Sequence, residues 1–360
     1  MKAVFLADTA APTGAELATS RLLSALPRGR VAVVHFEDGP MVRQLGEVGI
    51  ETRVVRGEFD VRGLFQLSAV VARALRELGA TVVVAGSVRT LIVGALAARR
   101  ARVPLIWHVH ERISSERVGR ARAVGILLLG WVLATGYIAN SRGTLRLLPT
   151  WRRPAVVAYP GVAFGDERMR EEQRDPPETV IAVVGRLAPW KGQALFLRAL
   201  ADVRVQPREV FLVGANFSDD DTYPRELETL ATALDLPVVF TGYVDDPEPY
   251  LRVADILVHC SVRPEAFGQV VVEGMRAGCA VIATRPGGPE EIIEPGVNGL
   301  LVRAGDRHQL THALDTLIAD QELRIKLSAA GSVRARDFDI TESARTVWTF
   351  LGAVTEREGS

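Results

Sequence analysis

Cysteine is nearly missing from this sequence, and lysine is almost as scarce. Cys260 and Cys279 are the only two thiols, and neither falls in a paired metal-type spacing. That excludes a disulfide scaffold and a zinc site and fits a reducing, cytoplasmic setting. No apolar run reaches the roughly 20 residues that a membrane-crossing helix needs. The longest, Ala123–Ala139, is interrupted by small residues and reads as a buried helix (Ala123–Leu133) followed by a strand (Gly136–Ala139). The apolar run after Lys2 ends at Asp8, too short for a signal-peptide core, and reads as a first buried strand. The G-x-x-x-x-G-K-[ST] phosphate loop is missing, as is G-x-G-x-x-G, so neither a Walker-type nucleotidase nor an NAD enzyme is indicated.

What is present is enough apolar material for two domains: 360 residues, 48% of them hydrophobic. The chain is neutral, with 43 basic and 43 acidic residues, yet its halves differ. Residues 1–160 hold 22 Lys and Arg against 11 Asp and Glu, and the remainder holds 21 against 32. A basic first half suits an anionic partner, and it equally suits simple attraction between the halves. Only three lysines stand beside forty arginines, an excess that fits a GC-rich bacterial genome.

Short β-branched runs alternate with longer helical segments, the signature of doubly wound α/β sheets. In the first half the strands read 3–7, 31–36, 51–55, 81–85, 105–109, 137–139 and 155–158, with helices near 15–25, 41–48, 64–78 and 90–100. Residues 165–178 are polar and carry Pro176-Pro177, so they read as a linker between domain 1–164 and domain 179–338. The pattern restarts with strands 180–184, 209–213, 238–241, 256–259, 280–283 and 299–302. The last segment, 339–360, contains an amphipathic helix that is expected to cross back to the first domain. Ligands of such sheets bind beyond the carboxyl ends of the strands, and two facing sheets would share an interdomain cleft.

Three stretches carry candidate chemistry. In R-P-E-A-F-G-Q-V-V-V-E-G, from Arg263, the sequence beyond Gly268 looks helical. Glu265 would lie on the loop before it and Glu273 roughly a turn and a half inside. Backbone N–H groups at that helix start make an anion site, although an acidic helix start reads the same way. In V-V-G-R-L-A-P-W-K-G, a strand ends at Gly185, and Arg186 and Lys191 follow it. A guanidinium fork and an ammonium suit phosphate oxygens, while isolated basic residues after a strand are more often solvated. In A-D-T-A-A-P-T-G-A-E, Gly14 opens the first helix, where it admits a diphosphate or simply makes a tight turn. Asp219-Asp220-Asp221 reads as a solvated loop rather than a metal site.

In this order and spacing the stretches resemble the retaining GT-B glycosyltransferases with two glutamates seven residues apart (glycosyltransferase family 4, glycosyl transferases group 1). The resemblance is closest over Val180–Arg307, through V-V-G-R-L, F-T-G-Y-V-D-D, A-D-I-L-V-H, the Glu265–Glu273 element, G-G-P-E-E-I-I and G-V-N-G-L-L-V. It is looser in the first half, at T-G-A-E, W-H-V-H and I-A-N-S. The chain departs from the pattern at Thr13-Gly14, where two glycines are frequent, and at Glu111, where aspartate is.

The resemblance implies two Rossmann-like domains and a sugar transferred from a nucleoside-diphosphate donor with retention and without a metal or other cofactor. Arg186 and Lys191 would hold the diphosphate, Glu265 the transferred sugar and Glu273 the ribose. The backbone of Phe267, Gly268, Gln269 and Val270 would run along sugar and phosphate, with Gly185 at the strand end before Arg186. Gly242, Tyr243 and Val244 would line the base, Gly14 would approach the phosphates and His110 would face the reaction centre. The acceptor is expected to be a small molecule or lipid-linked (an envelope component or a secondary metabolite), near Arg112, Arg117, Arg120 and Asn140. Peripheral membrane contact is expected through this basic half, with no nucleic acid as partner. An epimerase or phosphorylase on the same scaffold, or a non-catalytic sugar-nucleotide binder, is the alternative.

Overall fold

The computed structural model describes residues 1–11, 13–113, 119–165, 178–216 and 221–359. Two compact units divide them: residues 1–163 with 339–360, and residues 164–338. Each is built on one parallel sheet, whose central strands are apolar on both faces because helices cover both.

In the first unit the strands are β1 (Ala3–Ala7), β2 (Val31–His35), β3 (Glu51–Val54), β4 (Val82–Ala85), β5 (Leu105–Val109), β6 (Gly136–Ala139) and β7 (Ala155–Val157), ordered β3-β2-β1-β4-β5-β6-β7. The order reverses between β1 and β4, so the crevice where such sheets bind ligands lies at their carboxyl ends. The helices are α1 (Gly14–Ala25), α2 (Pro40–Glu47), α3 (Val61–Glu77), α4 (Val88–Ala101), α5 (Arg120–Leu133) and the single turn α6 (Arg142–Leu145). Ser87 starts α4 with a reciprocal cap, its hydroxyl accepting from Thr90 N–H.

In the second unit β8 (Val180–Val184), β9 (Glu209–Val213), β10 (Val238–Gly242), β11 (Ile256–His259), β12 (Ala280–Arg285) and β13 (Leu300–Arg303) are ordered β10-β9-β8-β11-β12-β13, with the switch between β8 and β11. Asp255, fully buried before β11, accepts the Val180 N–H at 2.8 Å and pins the start of β8. The helices are α7 (Gln193–Ala201), α8 (Thr222–Ala233), α9 (Glu248–Val253), α10 (Gln269–Arg276), the turn α11 (Pro289–Ile292), α12 (Arg307–Ala319) and α13 (Gln321–Ala335).

The last helix, α14 (Ile340–Gly359), belongs to the first unit. Its Ile340, Ala344, Val347, Leu351 and Val354 recur on one face and join the core of Phe5, Leu22 and Leu23. Truncating one of them, Leu351, to alanine is expected to cost about 2–5 kcal/mol.

Most strands fall within a residue or two of their sequence-based bounds, whereas the apolar segment after residue 120 behaves differently. It is not the buried helix expected: α5 buries only Ala123 and Gly130, and leaves Val124, Leu128 and Val132 exposed. The reason is packing on one side alone. Gly130 sits directly on the Trp107 ring, so close that a Cβ there would lie 2.1 Å from it, and among the described residues Val124, Leu128 and Val132 on the opposite face stay exposed. No described helix is long and apolar enough to cross a membrane.

Candidate functional site

The second unit gathers its polar side chains at the carboxyl ends of β8 and β11. β8 is followed by Gly185, whose N–H donates to Val213 O at 2.9 Å and keeps the turn against β9. Arg186 is exposed on that turn, and its carbonyl accepts from Gln193 Nε2 at 2.8 Å. Residues Pro189–Lys191 form a tight 3₁₀ turn ahead of α7, so Lys191 precedes the helix rather than starting it. Gly192 follows with φ +78°, and a Cβ there would lie 2.0 Å from the Cys260 carbonyl oxygen. Only glycine lets the Lys191 turn press against the end of β11 in this way.

Lys191 Nζ forms an ion pair with Glu265 and sits 4.6 Å above the Trp190 ring. The same carboxylate oxygen accepts from Ser261 Oγ at 2.5 Å and lies 3.2 Å from His259 Nε2. Thr284 at the end of β12 donates to the Ser261 carbonyl at 2.8 Å, and its hydroxyl is 3.4 Å from His259 Nδ1. Burial by itself would raise the Glu265 carboxyl, but the Lys191 charge and His259 hold it well below the usual carboxylate range. Burial outweighs the pull of the Lys191 charge on the Cys260 thiol and pushes it up to about 12, so it is no nucleophile.

The loop that carries Glu265 is clamped from behind by Gly287-Gly288. Gly288 N–H donates to Glu265 O at 2.9 Å, and a Cβ on Gly288 would lie 2.1 Å from Phe267 Cα. Phe267 is buried with its ring 5.6 Å from that of Phe338. Gly268 caps α10, whose Val271, Val272 and Met275 are buried. Gln269 and Val270 are half-buried at its first turn, and Glu273 accepts from Gln269 Nε2 at 2.9 Å. The first N–H groups of a helix suit an anion, and the loop leading into α10 is tied through Glu265 to Lys191. Gly242, Tyr243 and Val244 follow at the end of β10; Tyr243 is exposed, and burial together with its hydrogen bond to Asp245 raises its phenol.

In the first unit Gly14 is the first residue of α1, with open space where a Cβ would go. Thr13 Oγ1 donates to Glu16, and burial nevertheless raises the Glu16 carboxyl. Asp8, at the end of β1, is also raised by burial, against the pull of Arg89, 3.0 Å away, and of the Ser87 hydroxyl. His110 follows β5, with its Nε2 3.4 Å from Thr19 Oγ1 and its ring 3.9 Å from that of His108. Desolvation lowers His110 to about 4, so the ring is neutral at neutral pH and able to donate from one nitrogen and accept at the other.

Asn140 does not stand where an acceptor contact was expected. It is buried, and its Nδ2 donates to the His110 carbonyl at 2.6 Å, because β5 and β6 are neighbours and Asn140 directly follows β6. It shapes the His110 turn instead. Arg112 is half-buried, Arg120 is exposed at the start of α5, and Arg117, Asp219 and Asp220 lie outside the described residues, as does most of the expected linker. Sequence reasoning missed His259, Ser261 and Thr284. Only the A-D-I-L-V-H stretch, which ends at His259, signalled any of them.

Comparison with known proteins adds the following. Residues 165–334 match the model of "Glycosyl transferases group 1", and residues 12–164 that of "Glycosyltransferase Family 4". The chain is 31% identical over 205 residues to the lipopolysaccharide core biosynthesis glycosyltransferase LpsE of Rhizobium meliloti, covering 56% of this chain and 53% of that one. It is 33% identical over 195 residues to the D-inositol 3-phosphate glycosyltransferase of Corynebacterium kroppenstedtii, covering 52% and 43%. The chain thus spans about half the length of the curated relatives it matches. Among solved structures, Anabaena HepE in complex with UDP-glucose superposes with a TM-score of 0.86 at 27% identity, over 98% of this chain and 100% of that one.

Proposed function

The chain belongs to the GT-B glycosyltransferases of these two matching models, and from that premise we propose that it moves a sugar from a nucleoside-diphosphate donor to an acceptor hydroxyl, with retention and without a metal ion. One observation carries the proposal: the Lys191–Glu265 pair ties the turn that follows β8 and carries Arg186 to the loop that leads into α10, joining a cation for a diphosphate with a carboxylate for sugar hydroxyls. Transfer breaks the bond between the sugar C1 and the phosphate oxygen, and the leaving diphosphate takes the electron pair. Lys191, Arg186 and the N–H groups of Gln269 and Val270 meet that growing charge. The acceptor oxygen bonds to C1 on the same face, and its proton passes to the leaving phosphate oxygen.

In this scheme Lys191 turns from Glu265 to the diphosphate when the donor binds. Glu265 keeps Ser261 and His259 as partners and presents its freed valence to the sugar hydroxyls, while Glu273 takes the ribose. His110, neutral, contributes a hydrogen bond at the sugar rather than a charge. Uridine is the base to try first, since HepE at 27% identity carries UDP-glucose. The names of the relatives, one for lipopolysaccharide core biosynthesis and one for D-inositol 3-phosphate, support an acceptor that is small or lipid-linked, an envelope component or a secondary metabolite.

A thermal-shift panel of UDP-, GDP- and dTDP-sugars tests this reading, with and without EDTA. One donor class raises the melting temperature by mass action, unchanged by the chelator. A folded protein that responds to none, or only with a divalent metal added, would contradict it.

A further inference from the structure

One face of α5 leaves a row of large aliphatic side chains open to solvent. Val124, Leu128 and Val132, four residues apart, are each 55% exposed and form a single stripe along the helix. From Ala123 to Leu133 the helix contains no charged or hydrogen-bonding side chain except Trp131. Trp131 donates its Nε1–H to Trp151 O at 3.1 Å and stacks on the Trp151 ring, with centroids 5.9 Å apart. Trp151 itself is 65% exposed, so the stripe continues into an open indole.

Charge brackets that stripe. Arg120 and Arg122 are exposed at the first turn of α5, and at the other end the Arg152 guanidinium lies 4.8 Å over the Trp151 ring. The whole segment from Gly119 to Gly165 holds six arginines and not one aspartate or glutamate. A protein partner matching this surface would need carboxylates at both ends of an apolar strip. A bilayer offers that pattern everywhere, with acyl chains beneath an anionic headgroup layer. With 14 residues α5 is about 21 Å long, too short to cross the hydrocarbon and suited to lying along its surface.

We propose that the Val124–Leu128–Val132 face of α5, with Trp151 and its flanking arginines, docks the chain onto a membrane surface rich in anionic lipid. The aliphatic stripe enters the acyl boundary, the Trp151 indole sits at headgroup depth and the arginines pair with lipid phosphates. This goes beyond the transferase reading and does not rest on it, since the surface is described without reference to donor or acceptor.

The test uses the whole chain without nucleotide and measures flotation with two kinds of vesicle. One is phosphatidylcholine alone, and the other contains about one third phosphatidylglycerol. Binding is expected to the anionic vesicles, at least about tenfold over the neutral ones, and to weaken with salt. Leu128→Glu combined with Val132→Glu should reduce it by about tenfold or more while leaving the donor-induced thermal shift unchanged. Because both side chains are exposed, circular dichroism should show the variant folded. A second readout needs no change to α5: lipids brominated near the headgroup should quench the unaltered protein, and Trp151→Phe should remove most of that quenching. Equal failure to float with both vesicles, or undiminished binding by the glutamate variant, would overturn the proposal. So would self-association in sedimentation without lipid that the same variant abolishes, since the face would then meet a second copy.

Discussion

Both units place carboxylates near the switch points of their sheets, yet the two sets of carboxylates are driven in opposite directions. In the second unit Glu265 is held far below the ordinary range, because Lys191 and His259 more than offset its burial. In the first unit Glu16 and Asp8 are raised, because burial outweighs a threonine hydroxyl at one and Arg89 at the other. The difference teaches that sheet topology chooses where polar groups collect, and partners choose their charge. One region is thereby prepared with fixed charges that suit a diphosphate sugar. The other, with a neutral His110 and reluctant carboxylates, suits uncharged hydroxyls.

The sharpest way to break this contrast is to remove its cation. Lys191→Ala should lower kcat/KM for donor turnover by about 10²–10³-fold, the scale of losing one charge-stabilising donor. It should also raise the Glu265 carboxyl toward and above its ordinary value, visible as a new acid limb in the pH–rate profile. Next comes the backbone. Gly192→Ala puts a Cβ 2.0 Å from the Cys260 carbonyl at a left-handed φ, so a loss of about 3 kcal/mol or more is expected in urea unfolding.

Much of the fold was legible because buried parallel strands are short, β-branched and bounded by turn residues. Ala3–Ala7, Leu105–Val109 and Glu209–Val213 come out at the same bounds either way. The charged candidates Arg186, Lys191 and Glu265 were legible as separate residues. Their union was not, since Lys191 and Glu265 are 74 positions apart and meet only because β8 and β11 are neighbours. His259 and Thr284 face each other for the same kind of reason, β11 pairing with β12, which a linear reading does not supply. The exposed face of α5 escaped too. An apolar helical run has the same period whether a protein core or something else covers it.

Smaller effects sharpen the comparison through pH. His110 is lowered from about 6.5 when unfolded to about 4 when folded, so its stabilising contribution is complete above pH 6.5 and declines as pH falls toward 4. His110→Asn should flatten that decline, by at most about 2–3 kcal/mol, in chemical unfolding between those limits. Glu265 runs differently: its contribution is present above about pH 4.3 and is lost only as pH falls through its depressed folded value. Raised Glu16 and Asp8 have the reverse sign, since the folded chain keeps their protons longer and loses stability as they ionise. The smallest structural effect belongs to Gly14→Ala. With no atom within 4 Å of the new Cβ, thermal stability should shift by about 1 kcal/mol or less. Any loss of donor affinity in that variant then reports close approach of a ligand rather than a damaged helix.

The most direct measurement is calorimetric titration of UDP-glucose into the unaltered chain and into Lys191→Ala, both in EDTA. Binding by the unaltered chain and a loss of about tenfold or more in the variant are the predicted results, because in the proposed scheme the ammonium takes the place of a metal at the diphosphate. Equal affinity of the two proteins, or binding that appears only when a divalent cation replaces the chelator, would contradict the charge pairing on which the second unit's role depends.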